Sequence, residues 1–126
     1  PNRREAETLL RIALDADEAV REAVYRLSAY GIPVVALSLG ARGAVCACDG
    51  AVWRAEAPPS SVRSTVGSGD AFLACLLLAL PGGADVPTAL AVGTAAGSAS
   101  VTLPGGRLCA PASLEQMLPH VNVRPL

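Results

Sequence analysis

Residues 33–56 run PVVALSLGARGAVCACDGAVWRAE, and their order decides the architecture. Pro33 to Leu39 is a continuous apolar stretch holding Val34, Val35, Leu37 and Leu39, bounded by Gly40. Behind a helix, such a run predicts a buried parallel strand. After the turn Gly40-Ala41-Arg42-Gly43, two short strands, Ala44–Cys48 and Ala51–Glu56, flank Asp49-Gly50. That dipeptide predicts a hairpin, because glycine accepts the positive φ of a type I′ turn. Pro58-Pro59 ends the hairpin.

Upstream, Pro1-Asn2 leads into a short helix around Glu5 to Arg11. A second helix is expected to start at Asp15 as N-cap, with Glu18 three residues later at capping-box spacing. Its apolar positions Val20, Ala23, Val24 and Leu27 follow the helical repeat, and Gly31 ends it. Downstream, a polar loop from Ser60 to Val66 leads through Gly67-Ser68-Gly69-Asp70 into an apolar helix, Ala71–Leu80, broken by Pro81-Gly82-Gly83. Asp85 and Pro87 open another helix reaching about Val101, with Pro104-Gly105-Gly106 behind it. A last short helix is expected from Ser113 to Leu118. Helix, strand, hairpin, helix, helix is the tail of an α/β layer structure, with no internal repeat or low-complexity linker.

Composition narrows the function. The chain has 126 residues, 52% hydrophobic and 17% charged, enough for one domain with a real core. Ten basic residues against eleven acidic ones give a net charge of -1, with no basic stripe for nucleic acid and no polybasic membrane patch. Only 3% of residues are aromatic, too few for stacking platforms. All ten basic residues are arginine, so a Walker-A loop, which needs lysine, is excluded. The longest apolar run, ten residues from Ala71 to Leu80, is about half a bilayer span, and no signal peptide opens the chain. Four irregularly placed cysteines, Cys46, Cys48, Cys75 and Cys109, predict reduced thiols in a cytoplasmic protein. The missing initiator methionine and polar start suggest a piece of a longer chain.

The sharpest chemical feature is Thr65-Val66-Gly67-Ser68-Gly69-Asp70-Ala71-Phe72, a glycine turn opening directly into a helix. The first N–H groups of a helix lack internal partners and carry the positive end of its dipole. With two glycines they form a cradle for a phosphate or oxyanion. An aspartate at the mouth of that cradle competes with the anion unless it has its own task, accepting a proton from an attacking hydroxyl. The plain alternative is that Asp70 caps the helix. A second glycine turn, Ser38-Leu39-Gly40-Ala41-Arg42-Gly43, stands at a strand's C-terminal end, where open α/β sheets bind ligands. Its plain alternative is an ordinary strand-to-hairpin turn. Asn2 and Glu5, three apart at a helix start, either hold the water shell of a magnesium ion or form a capping box.

In this order, N-x-x-E, S-L-G-x-x-G, T-V-G-S-G-D-A-F and A-A-G-S-A resemble the ribokinase/PfkB family of sugar kinases, most of all its phosphosugar branch. The resemblance covers nearly the whole chain but only the C-terminal portion of a family member. It implies a C-terminal part of a three-layer α/β/α ribokinase-like fold, residues 1–126 forming the nucleotide-binding and catalytic portion of one kinase domain. The implied reaction is ATP-dependent phosphoryl transfer to a hydroxyl of a phosphorylated ketohexose, of fructose- or tagatose-phosphate type. The alternatives are a ribokinase-like sugar or nucleoside kinase, or a non-catalytic nucleotide-binding module.

By the same resemblance Asp70 is the catalytic base, and Gly67, Ser68 and Gly69 donate N–H groups to the transferring phosphate. Ser38, Gly40 and Gly43 line the nucleotide's phosphate and ribose side, with Ser64, Thr94, Gly97 and Ser98 near the adenosine. Asn2 and Glu5 hold Mg2+, largely through water. The implied partners are ATP and a small sugar phosphate, with a homodimer as the assembly and neither nucleic acid nor membrane. The family's N-terminal half, which carries the sugar-binding residues and the lid, is absent from the match, so these residues alone are expected to be inactive. No arginine is assigned to a sugar phosphate by motif, and Leu103-Pro104-Gly105 replaces a polar residue frequent in the family.

Overall fold

Each strand of the sheet pairs with its neighbour in sequence. In the computed structural model, which describes residues 1–105, 107 and 109–126, β1 (Val34–Ser38), β2 (Ala44–Cys48), β3 (Ala51–Glu56) and β4 (Asn122–Pro125) form an antiparallel sheet in that order. The hairpin lies where the sequence puts it. Cys48 pairs with Ala51, and Asp49 and Gly50 both take positive φ, 49° and 78°. That is the twist a two-residue hairpin needs.

The expected parallel strand is shorter than Pro33–Leu39 and pairs antiparallel with β2 along its length. Its parallel partner is a single bridge to Asn2, where the Ser38 N–H donates to the Pro1 carbonyl at 3.0 Å. The continuous apolar run has a different cause: both faces of β1 are covered. Val35 and Leu37 pack with Leu14, Val20, Ala23, Val24 and Leu27 on one side. Val34 and Ala36 pack towards Phe72, Leu76 and Leu90 on the other. Strand β2 divides likewise, with Val45 and Ala47 on the first side and Ala44 and Cys46 on the second. The sheet is thus the middle layer of an α/β/α stack.

Helices α1 (Arg3–Leu10) and α2 (Asp17–Ser28) cover the first face. The expected cap of α2 is corrected: its N-cap is Ala16, with no side-chain bond. Asp15 is drawn off by Arg3, whose guanidinium donates to it at 2.6 Å. A charge-assisted bond outcompetes a neutral amide for the same carboxylate. Asp17 and Glu18 then fill the first turn, where negative charge suits the dipole.

Helices α3 (Ser68–Ala79), α4 (Val86–Val101) and α5 (Pro111–Met117) form the other layer. Asp85 caps α4 as expected, accepting from the Thr88 N–H at 2.9 Å. Behind α4, Gly106 lies outside the described residues. Helix α3 packs on α4, where a Cβ at Gly93 would meet the Phe72 carbonyl oxygen at 2.8 Å. Its opposite side carries Leu73, Leu77 and Leu78, all exposed. Among the described residues, no helix is long and apolar enough to cross a membrane.

Candidate functional site

The start of α3 is built by Gly67, whose φ of 81° turns the chain from the loop into the helix. Thr65 anchors the turn: its carbonyl accepts from the Ser68 hydroxyl at 2.9 Å and more distantly from the Ser68 N–H at 3.4 Å. Ser64 supports the same turn, its Oγ accepting from the Val66 N–H at 3.3 Å. Its own N–H and that of Arg63 donate to the Val101 carbonyl, tying the loop to the end of α4.

Asp70 occupies the third helical position. It is not the cap: Gly67 is, and no side chain caps this helix. The carboxylate is exposed and, among the described residues, takes no hydrogen bond. The N–H groups of Gly67, Gly69 and Asp70 likewise find no acceptor among the described residues. A Cβ at Gly69 would meet nothing within 4 Å, so the backbone there is bare and open. A free carboxylate therefore stands beside free amides at the positive end of a helix, which suits an anion and a proton acceptor together.

The second glycine turn is built differently. Residues Gly40–Arg42 form a 3-10 turn, closed by Leu39 N–H to Gly43 carbonyl at 2.8 Å and Gly43 N–H to Gly40 carbonyl at 3.0 Å. Gly40 is exposed, Ser38 is half-buried at the end of β1, and Gly43 is buried against β3. A Cβ at Gly43 would lie 2.0 Å from the Ala55 carbonyl oxygen. Only glycine fits.

Asn2 and Glu5 form the capping box. Asn2 Oδ1 accepts from the Glu5 N–H at 3.0 Å, and Glu5 Oε2 from the Asn2 N–H at 2.8 Å. The Asn2 bridge to Ser38 brings this box beside the end of β1. Exposed Glu5 keeps Oε1 for another partner. One carboxylate, with water and ligand oxygens completing the shell, fits a magnesium ion, which keeps much of its hydration. Groups of three or more metal-binding side chains do not occur among the described residues.

Two sets emerge: Asn2, Glu5, Ser38, Gly40 and Gly43 around the end of β1, and Ser64, Gly67, Ser68, Gly69, Asp70 and Gly97 around the start of α3. Gly97 belongs to the second set through packing, since a Cβ there would lie 3.2 Å from the Ser68 carbonyl oxygen. Thr94 and Ser98 are buried, 4% and 8% exposed. They lie in the packed body of α4, and the Thr94 Oγ1 has no partner among the described residues. Gly97 seats the glycine turn of α3 on α4.

Sequence reasoning missed the cluster around Asp17. It pairs with Arg54 at 2.8 Å, Arg124 at 3.0 Å and Arg42 at 3.8 Å. Hydrogen bonding by Arg124 and the charges of all three guanidiniums hold its carboxyl below the ordinary value. The only local signal was Arg54, a charge inside an apolar strand. The cysteines are free, and burial pushes the Cys46 thiol up to about 11. A thiol so raised is a poor nucleophile.

A family model described as pfkB family carbohydrate kinase matches residues 1–113. A 1-phosphofructokinase of Rhodobacter capsulatus is 35% identical over 126 residues, all of this chain and 40% of the relative. A fructoselysine 6-kinase of Shigella flexneri is 37% identical over 90 residues, 71% of this chain and 34% of the relative. The crystal structure of phosphofructokinase-2 from Escherichia coli in complex with potassium superposes with a TM-score of 0.86 at 30% identity, over 94% of this chain and 39% of that one. A ribokinase of Arabidopsis thaliana complexed with ribose and ATP gives 0.84 at 25% identity, over 94% and 39%. The chain spans about 40% of the length of the 1-phosphofructokinases it matches.

Proposed function

We propose, from the premise that this chain belongs to the pfkB family of carbohydrate kinases, that it carries the nucleotide-binding and catalytic portion of an ATP-dependent kinase. The acceptor in this reading is a hydroxyl of a phosphorylated ketohexose, of fructose- or tagatose-phosphate type. One observation carries it: the Asp70 carboxylate stands exposed and unspent beside unpaired amides at the start of α3.

The roles in this reading are those the resemblance implies, and that geometry supports them. The N–H groups of Gly67 and Gly69 receive the charge that builds on the transferring phosphoryl group, joined by that of Ser68 once it leaves its long 3.4 Å bond to the Thr65 carbonyl. Asp70 accepts the proton of the attacking hydroxyl. A loose transition state asks little of the base until late, so its placement matters more than its basicity. The turn Ser38–Gly43 faces the nucleotide, with Ser64 on the adenosine side of the second set. Gly97 acts from beneath, by seating the start of α3, while Thr94 and Ser98 keep their place on the adenosine side in this reading. Glu5 and Asn2 would hold magnesium, which when bound supplies neutralisation of phosphate charge. Free thiols support a cytoplasmic setting. A homodimer belongs to the same reading.

The test is Asp70→Ala in the complete polypeptide that carries these residues, assayed with ATP, magnesium and phosphorylated and unphosphorylated ketohexoses. Turnover is expected to fall about 10²–10⁴-fold, as for loss of a positioned base, with ATP affinity within about twofold. Near-normal kcat in that variant overturns the role. The fructoselysine 6-kinase match favours a second acceptor class, a fructosyl amine without phosphate, and adding fructoselysine to the substrate panel separates the two. The 126 residues alone are expected to show no turnover.

A further inference from the structure

Arg54 is buried, 6% exposed, on the sheet face that also carries Val45, Val52 and, directly across on β4, Arg124. Its guanidinium is used in two directions. Nη1 donates to Asp17 Oδ1 at 2.8 Å, and Nη2 donates to the Arg42 carbonyl oxygen at 3.1 Å. That carbonyl belongs to the last residue of the 3-10 turn Gly40–Arg42. Arg42 itself donates from Nη1 to the Leu14 carbonyl at 2.7 Å, so the turn is held from inside and outside. The turn also rests on the strand that bears Arg54, because Gly43 lies against the Ala55 carbonyl.

A buried ion pair is weak evidence for stability, since an apolar pair of equal volume often does as well. Geometry explains this one better. The planar fork of arginine spans two acceptors at fixed angles, which a lysine cannot do. Asp17 fixes one arm of the fork, and the other then fixes a carbonyl in an exposed loop.

We propose that Asp17 and Arg54 are positioning residues that hold the Gly40–Gly43 turn in the conformation that receives the nucleotide. The proposal rests on assigning that turn to ATP. Neither residue touches substrate; both act through the Arg42 carbonyl.

The test uses Arg54→Lys, which keeps the charge beside Asp17 but loses the second arm, in the complete polypeptide. Three readouts are taken well below the melting temperature: KM for ATP, kcat with KM for the acceptor, and amide hydrogen exchange across residues 39–43. The expected result is faster exchange at those amides and a rise of about tenfold in the KM for ATP, the weight of one hydrogen bond to a charged donor. The other two kinetic constants should stay within about twofold. Asp17→Asn should give the same pattern, weaker, because the fork keeps its carbonyl arm.

Unchanged exchange in Arg54→Lys overturns the proposal. So does a lower melting temperature with the KM for ATP unmoved, which is the mark of a merely structural pair. Ala41→Trp separates the underlying assignment, since Ala41 is exposed in the same turn and does not take a positive φ. If Ala41→Trp raises the KM for ATP and Arg54→Lys does not, the clamp fails and the assignment stands. If neither raises it, the assignment of the turn fails as well.

Discussion

The two glycine turns look alike in sequence and differ in what holds them. At the end of β1, Gly43 is locked in: any side chain would run into the backbone of β3. At the start of α3, Gly69 sits in ordinary helix with nothing above it, and alanine would fit there without contact. Packing explains the first glycine completely. It does not explain the second, where alanine would be the better helix former by about 1 kcal/mol. A glycine that the fold does not require points to something that must approach the chain from outside.

The largest expected effect breaks the first half of that contrast. Gly43→Ala forces a Cβ to within 2.0 Å of a carbonyl oxygen at a φ of 84°, so the hairpin must shift. A loss of about 4 kcal/mol or more is expected in urea denaturation. Stability within about 1 kcal/mol of the parent would show that the lock is not there. Gly69→Ala probes the second half. Its stability should equal or exceed the parent's, while turnover falls about tenfold or more, because a methyl group stands where the phosphoryl group must meet bare amides. Equal turnover would remove the ligand from the explanation.

Two smaller effects sharpen the comparison. Thr94→Val replaces a buried hydroxyl with no partner among the described residues, and should change stability by about 1 kcal/mol or less, towards greater stability. A marked loss of stability would mean that the hydroxyl has a partner. For Asp17, the folded carboxyl lies below its ordinary value of 3.8, so its contribution is present above about pH 4 and fades as pH falls through the folded value. Asp17→Asn should therefore lower stability at pH 7, and the gap to the parent should narrow below pH 4. A constant gap across that range would assign the loss to packing.

The hairpin was legible to the residue because Asp49-Gly50 encodes it locally, and so was the Asp85 cap. The pairing of β1 was not legible. A continuous apolar run reports that both faces are covered, and parallel pairing is only one way to cover them. Strand β4 was invisible for a related reason. Asn122, Val123, Arg124 and Pro125 carry almost no strand signal, and the segment is held by β3, by the Leu126 N–H on the Val52 carbonyl and by Arg124 on Asp17. The α2 cap was misplaced because Arg3, twelve residues away, takes the Asp15 carboxylate. In the candidate site, a helix start beside Gly67 was legible because it is local chemistry, although α3 begins at Ser68 rather than at Ala71. The burial of Thr94 and Ser98 was not, because α4 is small-residue and apolar all round and its sequence marks no outer face.

Strand β4 also governs the order in which the molecule assembles. Every other strand joins a sequence neighbour through a short turn, whereas β4 must wait for α3, α4 and α5 to fold back before it can dock on β3. Contacts that close so long a loop form late and are among the first to open on warming. Since Arg124 travels with that strand, each fraying event takes one guanidinium from Asp17. Breathing at the chain's far edge is thereby wired to the same carboxylate that steadies the turn beside β1.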